Sequence, residues 1–357
     1  MSDLDLFSQQ AANRSRSRWL VFGFIAFFAW LGFGGDWIAW QFTLDAPPGS
    51  YRHTFPFLGL GLTTVAAISA GVAWRRGPER VLWSTNAIEV TVPATEEERR
   101  LVNVVEEMAI ASGIPRPRVW IVPDPDPNAF ATGRDWDTAH VDVTAGLLRA
   151  LDRDELQAVI AHEMGHVKNL DVRLMTLLAA LVGAVALVGD AMARMMRGGG
   201  RIRTRSSGGG RGGKKGGNPV LIVVLVLWIL SWLLAPLVTR LLALGVSRKR
   251  EYLADAMAAQ FTRNPGALAS ALQKIEHAAS PTPSIRRGSA HLCIADPLGR
   301  RLTNREGFLA ELFGTHPPMA IRVAKLKAMA YEGRASSAER QAAGVERRGD
   351  DAGTPAT

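Results

Sequence analysis

At 357 residues the chain has room for one large domain or two small ones, and its hydrophobic content is ordinary for a folded protein. The single cysteine, Cys293, excludes both a disulfide framework and a thiolate metal site, so any metal ion must be held by histidine and carboxylate. A formal charge of +9 lies mostly in tracts flanking long uncharged runs, which points to contact with anionic lipid rather than with nucleic acid.

Residues 1–18 are polar and carry Arg14, Arg16 and Arg18 ahead of an apolar run. That run, Trp19 to Gly35, is long and aromatic, and no small-residue cleavage site follows it, which separates it from a signal peptide. It predicts a first membrane helix that exits at Asp36 into an interfacial belt of Trp37 and Trp40. After a turn-rich connector, Phe55 to Trp74 is uncharged for 20 residues, enough for a second span. Arg75, Arg76 and Arg80 follow at once, with only Arg52 inside the connector. Both ends of the hairpin over 19–74 are therefore expected in the cytoplasm.

A soluble segment, 75–173, comes next. Thr95 caps an amphipathic helix whose apolar stripe is Leu101, Val104, Val105 and Met108, and Gly113 ends it. Arg118 to Val122 and Ala139 to Thr144 read as short strands separated by the rigid turn Pro123 to Pro127. The turn leads into the small-residue stretch Asn128-Ala129-Phe130-Ala131-Thr132-Gly133. It reads as an ordinary edge strand or, beside a metal helix, as one that pairs with an extended peptide.

The stretch Ala161-His162-Glu163-Met164-Gly165-His166 carries the chemistry. Asp152 caps its helix, acidic residues fill the first turn, and apolar residues recur at helical spacing. Residues four apart share a helix face, so His162 and His166 can offer two imidazole nitrogens to one metal ion. Glu163, next to the first histidine, can reach a water on that metal. Two neutral nitrogen ligands, a base and an open position are what a zinc peptidase needs. A helix with two exposed histidines is the plainer alternative.

Two further apolar runs follow, within 174–239. Leu174 to Gly189 is uncharged for 16 residues and is marginal as a span; Asn218 to Thr239 is uncharged for 22 and is a good one. Between them, 197–217 holds ten glycines and seven Lys or Arg, the composition of a disordered, solvated linker beside lipid headgroups. If both runs cross, this most basic loop lies outside, against the positive-inside tendency; two true spans remain the expectation over a shallow hairpin.

The soluble part resumes over 240–332. Glu251 and Asp255 are four apart on one helix face, with Glu251 the candidate third ligand and Asp255 behind the site fixing a ligand tautomer. Arg248 and Arg250 beside them make a merely solvated face a fair alternative, and Glu276, Asp296, Glu306 and Glu311 are rival ligands that spacing leaves open. Pro265 to Ile275 reads as a scaffold helix, and His291 and Cys293 as structural or surface residues. Thr315-His316-Pro317-Pro318 is a turn before a final helix, Ala320 to Tyr331, that carries Arg322; 333–357 reads as a disordered tail.

Four blocks in this order resemble the HtpX-like membrane zinc proteases, gluzincins related to the CAAX prenyl endopeptidases. They are Asn128 to Gly133, His162 to His166 with Asn169 and Asp171, Arg250 to Asp255, and Thr315 to Pro318 with Arg322. The resemblance covers roughly residues 14–330; the long Gly/Arg loop and the charged tail depart from it. It implies a mostly α-helical membrane protein with about four hydrophobic helices and a cytoplasmic α+β zincin-like catalytic domain holding a small sheet. It implies Zn2+ on His162, His166 and Glu251, with Glu163 as base. It also implies Asn128, Ala129, Phe130 and Ala131 lining the substrate cleft, His316 near the scissile carbonyl, and Arg322 bracing Glu251 or Asp255. The expected task is cleavage of misfolded or membrane proteins at a bacterial inner membrane, with the active site facing the cytoplasm and no nucleic-acid partner. Rival readings are a prenyl-protein processing peptidase, a non-catalytic membrane protein with a structural metal, and a membrane-anchored nucleic-acid binder using 197–217. Substrate identity and oligomeric state are not written in the sequence.

Overall fold

The computed structural model describes residues 3–182, 222–231, 248–278, 292–294 and 317–332. The expectations for the Gly/Arg loop, for His291 and His316, for Asp296, Glu306 and Glu311, and for the tail fall outside them. The chain divides into two compact units, one from residues 1–81 and 173–245, the other from residues 82–172 and 246–357.

The first unit is helical. Helix α1 spans Asp3–Thr43 and α2 spans Phe57–Ser84, and both are long and apolar enough to cross a membrane. Helix α1 runs on past Asp36 to Thr43, and Asp36 is buried within it. Its carboxylate accepts from His53 Nε2 at 2.8 Å and from the backbone N–H groups of Leu58 and Gly59 at 3.2 and 2.6 Å. Those donors lie at the open N-terminal end of α2, where orphan N–H groups favour an anion. The carboxylate thus pins the two helices together. Gly32 lets the two helices touch, because a Cβ there would lie 2.5 Å from the Leu58 carbonyl oxygen. Helix α2 also outruns its apolar stretch, bending where Arg76 leaves helical geometry two residues before Pro78.

Helix 171–182 (α6) packs in this unit through Leu177, Ala180 and Leu181 against Ala70 and Ala73 of α2. Arg173 stacks over the Trp74 ring at 4.3 Å. Ile222–Ser231 (α7) is apolar, and its Trp228 lies over Gly34 and Gly35, donating from Nε1 to the Leu31 carbonyl at 2.8 Å. The third and fourth apolar runs are thus helical wherever they are described.

The second unit joins a small mixed sheet to a helical layer. Its strands, β1 (Ile88–Glu89), β2 (Arg118–Val122), β3 (Ala129–Thr132) and β4 (His140–Thr144), lie in the order β1-β2-β4-β3. Only β2 and β4 are parallel; β3 runs antiparallel to β4, with Ala129 opposite Val143. Helix α3 (Glu96–Ser112) has a capping box between Thr95 and Glu98 and ends at Gly113 in the left-handed conformation, as its sequence predicts. The short helix α4 (Ala145–Ala150) leads into α5 (Arg153–Lys168), where Asp152 and Glu155 form a second capping box. Glu155 also takes Ser270 Oγ at 2.7 Å and Lys274 Nζ at 2.6 Å, tying the first turn of α5 to α9 (Pro265–Ala278).

Leu156, Val159, Ile160 and Met164 of α5 join Leu101, Val104, Val105 and Met108 of α3 in one core, with Leu268, Leu272 and Ile275 of α9. Helix α8 (Arg248–Thr262) lies close along α5 because Gly165 has no side chain: a Cβ there would stand 3.2 Å from the Ala254 Cα. The final helix, 319–332 (α10), completes the core with Val323 and Leu326.

Candidate metal centre

His162 and His166 lie one turn apart on α5, with ring centroids 4.9 Å apart and planes nearly perpendicular. Glu251 of α8 closes the third side. Its carboxylate oxygens are 3.8 Å from His162 Nε2 and 3.6 Å from His166 Nε2. One donor atom from each residue lies within 4.8 Å of the others. Neighbouring donors on a tetrahedral zinc stand about 3.3 Å apart, given metal–ligand distances near 2.0–2.2 Å. The two His–Glu spacings are slightly wider than that, within reach of small side-chain rotations. The donor set of two imidazoles, one carboxylate and no thiolate fits a divalent cation with a position left open.

The far sides of both imidazoles are engaged. His162 Nδ1 is 3.0 Å from Asp255 Oδ1, and His166 Nδ1 is 3.4 Å from Asp171 Oδ2. A carboxylate on Nδ1 fixes the tautomer that leaves Nε2 free to bind a metal. Leu170 takes a left-handed backbone (φ 58°) after α5, and this reversal brings Asp171 back to His166. Asn169 Nδ2 donates to the same Asp171 oxygen at 3.1 Å, and Arg250 stands 3.6 Å from the other. The alternative of a solvated face around Arg250 is set aside, because the side chain is buried on Asp171. Glu276, a rival ligand by sequence, is exposed on α9.

Arg322 is fully buried and clamps the other side. Its Nε and Nη2 donate to the two Asp255 oxygens at 2.9 and 2.6 Å, and Nη1 is 3.3 Å from Glu251 Oε2. It therefore contacts both carboxylates that the sequence offered as alternatives.

These contacts set the charges. Burial pushes the Asp255 carboxyl up, but Arg322 and His162 outweigh it and hold it at about 2. Burial likewise lowers both imidazoles. It prevails at His162, where Arg322 opposes the proton, whereas Asp171, Glu251 and Glu163 lift His166 to about 9. Glu163 is buried beside the cluster and is raised to about 7 by burial, with Glu251 adding and His166 and Arg322 opposing.

Glu163 also accepts a hydrogen bond from the Ala131 backbone N–H of β3. The block Asn128 to Ala131 thus borders the cluster, and all four of its residues are buried. Asn128 opens the strand, its Oδ1 accepting from the Ala129 N–H at 3.0 Å. Asp142, which the sequence reading passed over, faces the same region from β4 with its carboxyl held well above the usual range, first by burial and then by Glu163. Its place in an alternating strand, where every residue is buried, was the available signal.

The description Peptidase family M48 matches residues 95–330, which include every side chain of this cluster. The chain is 46% identical over 230 residues to a protease HtpX homolog of Tropheryma whipplei, covering 64% of this chain and 72% of that one. It is 36% identical over 328 residues to a protease HtpX homolog of Streptococcus gordonii, covering 91% of this chain and all of that one. Among solved structures it is similar to S. mikatae Ste24p, with a TM-score of 0.40 and 18% identity over 82% of this chain and 62% of that one. Enzyme relatives at this level set aside the reading as a non-catalytic membrane protein. The chain belongs to peptidase family M48 and is a membrane metalloprotease of the HtpX-like kind.

Proposed function

We propose that this metalloprotease is a zinc endopeptidase with four hydrophobic helices, cutting misfolded or membrane proteins at a bacterial inner membrane with its site facing the cytoplasm. His162, His166 and Glu251 would hold the zinc, with Asp255 and Asp171 setting the imidazole tautomers and Arg322 orienting Asp255 and Glu251. When bound, zinc supplies Lewis acidity that polarises the scissile carbonyl and acidifies the attacking water.

Glu163 takes the proton from that water and returns it to the leaving amine. Its raised proton affinity suits both halves of the transfer near neutral pH. The Asn128–Ala131 strand aligns substrate backbone, which leaves selectivity for side chains loose. His316, outside the described residues, keeps its proposed place as a donor near the scissile carbonyl.

The observation that carries this reading is Glu163 itself: a buried carboxyl beside the metal-type cluster, tied to β3 and not part of the three-donor set. The test is zinc-dependent cleavage of unfolded casein by the detergent-purified protein beside Glu163→Gln. Cleavage by the native chain alone supports the mechanism; equal cleavage by the variant removes Glu163 as base.

A further inference from the structure

The strand that should align substrate is already covered. In the β3–β4 ladder the Thr144 N–H donates to the Asn128 carbonyl at 2.9 Å, so the even residues of β3 spend their backbone groups on β4. The odd residues, Ala129 and Ala131, point the other way, to the edge. There the Ala131 N–H is held by Glu163, and the Ala129 carbonyl accepts the Ile294 N–H at 2.9 Å. The short bent segment Leu292-Cys293-Ile294 is buried at each residue, and Ile294 packs into the main core of the unit.

A peptide adding to β3 must donate to the edge carbonyls at alternate residues, and Ala129 offers the first of them. The Ile294 N–H therefore has to leave before that bond can form. We propose that Leu292-Cys293-Ile294 is an internal competitor for the substrate edge, and that displacing it selects what this peptidase cuts. The proposal rests on the reading of β3 as the substrate strand.

Freeing a buried Leu or Ile side chain weakens binding roughly ten- to a hundredfold, an incoming chain recovering that loss only by filling the vacated space. An extended, apolar segment of an unfolded protein brings both the backbone donor and the side chains. A short polar peptide brings the backbone donor without the apolar side chains and is a poor substrate.

Cys293 reports on the segment directly, as the single thiol of the chain and a buried one. Maleimide labelling would be followed on the full-length, zinc-loaded Glu163→Gln protein in detergent, with and without alkylated casein at a concentration that saturates binding by fluorescence anisotropy. The expected result is labelling about tenfold faster with casein bound, as the segment opens. In the otherwise native protein, Ile294→Ala keeps the competing backbone N–H but loosens the side chain that anchors it, and should lower KM for casein about two- to tenfold. That variant loses core packing; the labelling arm leaves the segment intact and decides the matter alone. Unchanged labelling with casein bound overturns the proposal and makes the segment plain scaffold. Casein neither bound nor cut by the native protein counts against the peptidase reading on this substrate, and the proposal falls with it.

Discussion

Replacing Arg322 by Met should be among the most damaging single changes in the second unit. The guanidinium has no exposure and makes two hydrogen bonds to Asp255 while standing 3.3 Å from Glu251. Met preserves much of the volume but strands two buried carboxylates. Breaking a buried ion pair from one side costs about 3–5 kcal/mol, because the remaining charge stays desolvated. For a domain of this size that corresponds to a fall of roughly 10 °C or more in melting temperature. Intrinsic tryptophan fluorescence of the detergent-solubilised protein, heated with and without zinc, would read it. Pairing Arg322→Met with Asp255→Leu should restore part of the loss, since the second change removes one stranded charge, while Glu251 keeps the recovery incomplete. Arg322→Lys should not rescue, because an ammonium cannot span both Asp255 oxygens. A single variant that loses under about 1 kcal/mol, or a double variant less stable than the single, would refute the clamp as described.

Further outcomes follow from the same cluster. Asp255→Asn, which removes the anion from His162 Nδ1, should weaken zinc binding about 10- to 100-fold in competition with a chelator, with the fold unchanged by circular dichroism. His166, raised to about 9 without metal, carries a proton at neutral pH that zinc must displace. Binding at pH 7 should therefore release close to one proton, seen by calorimetry in buffers of different ionisation enthalpy, and affinity should rise with pH; pH-independent affinity would contradict this. Glu163, raised from 4.5 to about 7, stabilises the metal-free fold fully below pH 4.5, and that contribution is lost as pH climbs through 7. Asp255, lowered from 3.8 to about 2, works the other way: its contribution is present above 3.8 and lost as pH falls toward 2. Acid and base melts of Glu163→Gln and Asp255→Asn beside the native chain would separate the two.

Local rules carried much of the site. The capping boxes at Thr95 and Asp152, the left-handed Gly113 and the four-residue spacing of His162 and His166 are short-range features whose physics is complete within a few residues. Glu251 was one carboxylate among several, because its distance from the histidines is set by α5 and α8 packing at Gly165, which no local pattern encodes. Asp171 lies five residues beyond His166, past the helix end, and reaches it only through the reversed backbone of Leu170. Arg250 looked like surface because charge implies solvent unless a partner is known, and its partner Asp171 is 79 residues earlier in the chain. The backbone donors that meet Asp36 were hidden for the same reason, since they lie 22 and 23 residues further on in α2. The cover over β3 was invisible, since Ile294 meets Ala129 from 165 residues away.

His162 and Arg322, which meet in the folded cluster, are 160 residues apart in the chain. At a synthesis rate of about 5–20 residues per second, roughly ten to thirty seconds pass between the emergence of one and the emergence of the other. For the first half of that interval the growing chain has its paired histidines without Glu251, and throughout it lacks the cation that neutralises the carboxylates around them. On the proposed reading of the cluster, the site is incomplete until the helix that carries Arg322 has emerged, so a chain made in this order would have no means of cutting its own unfinished length.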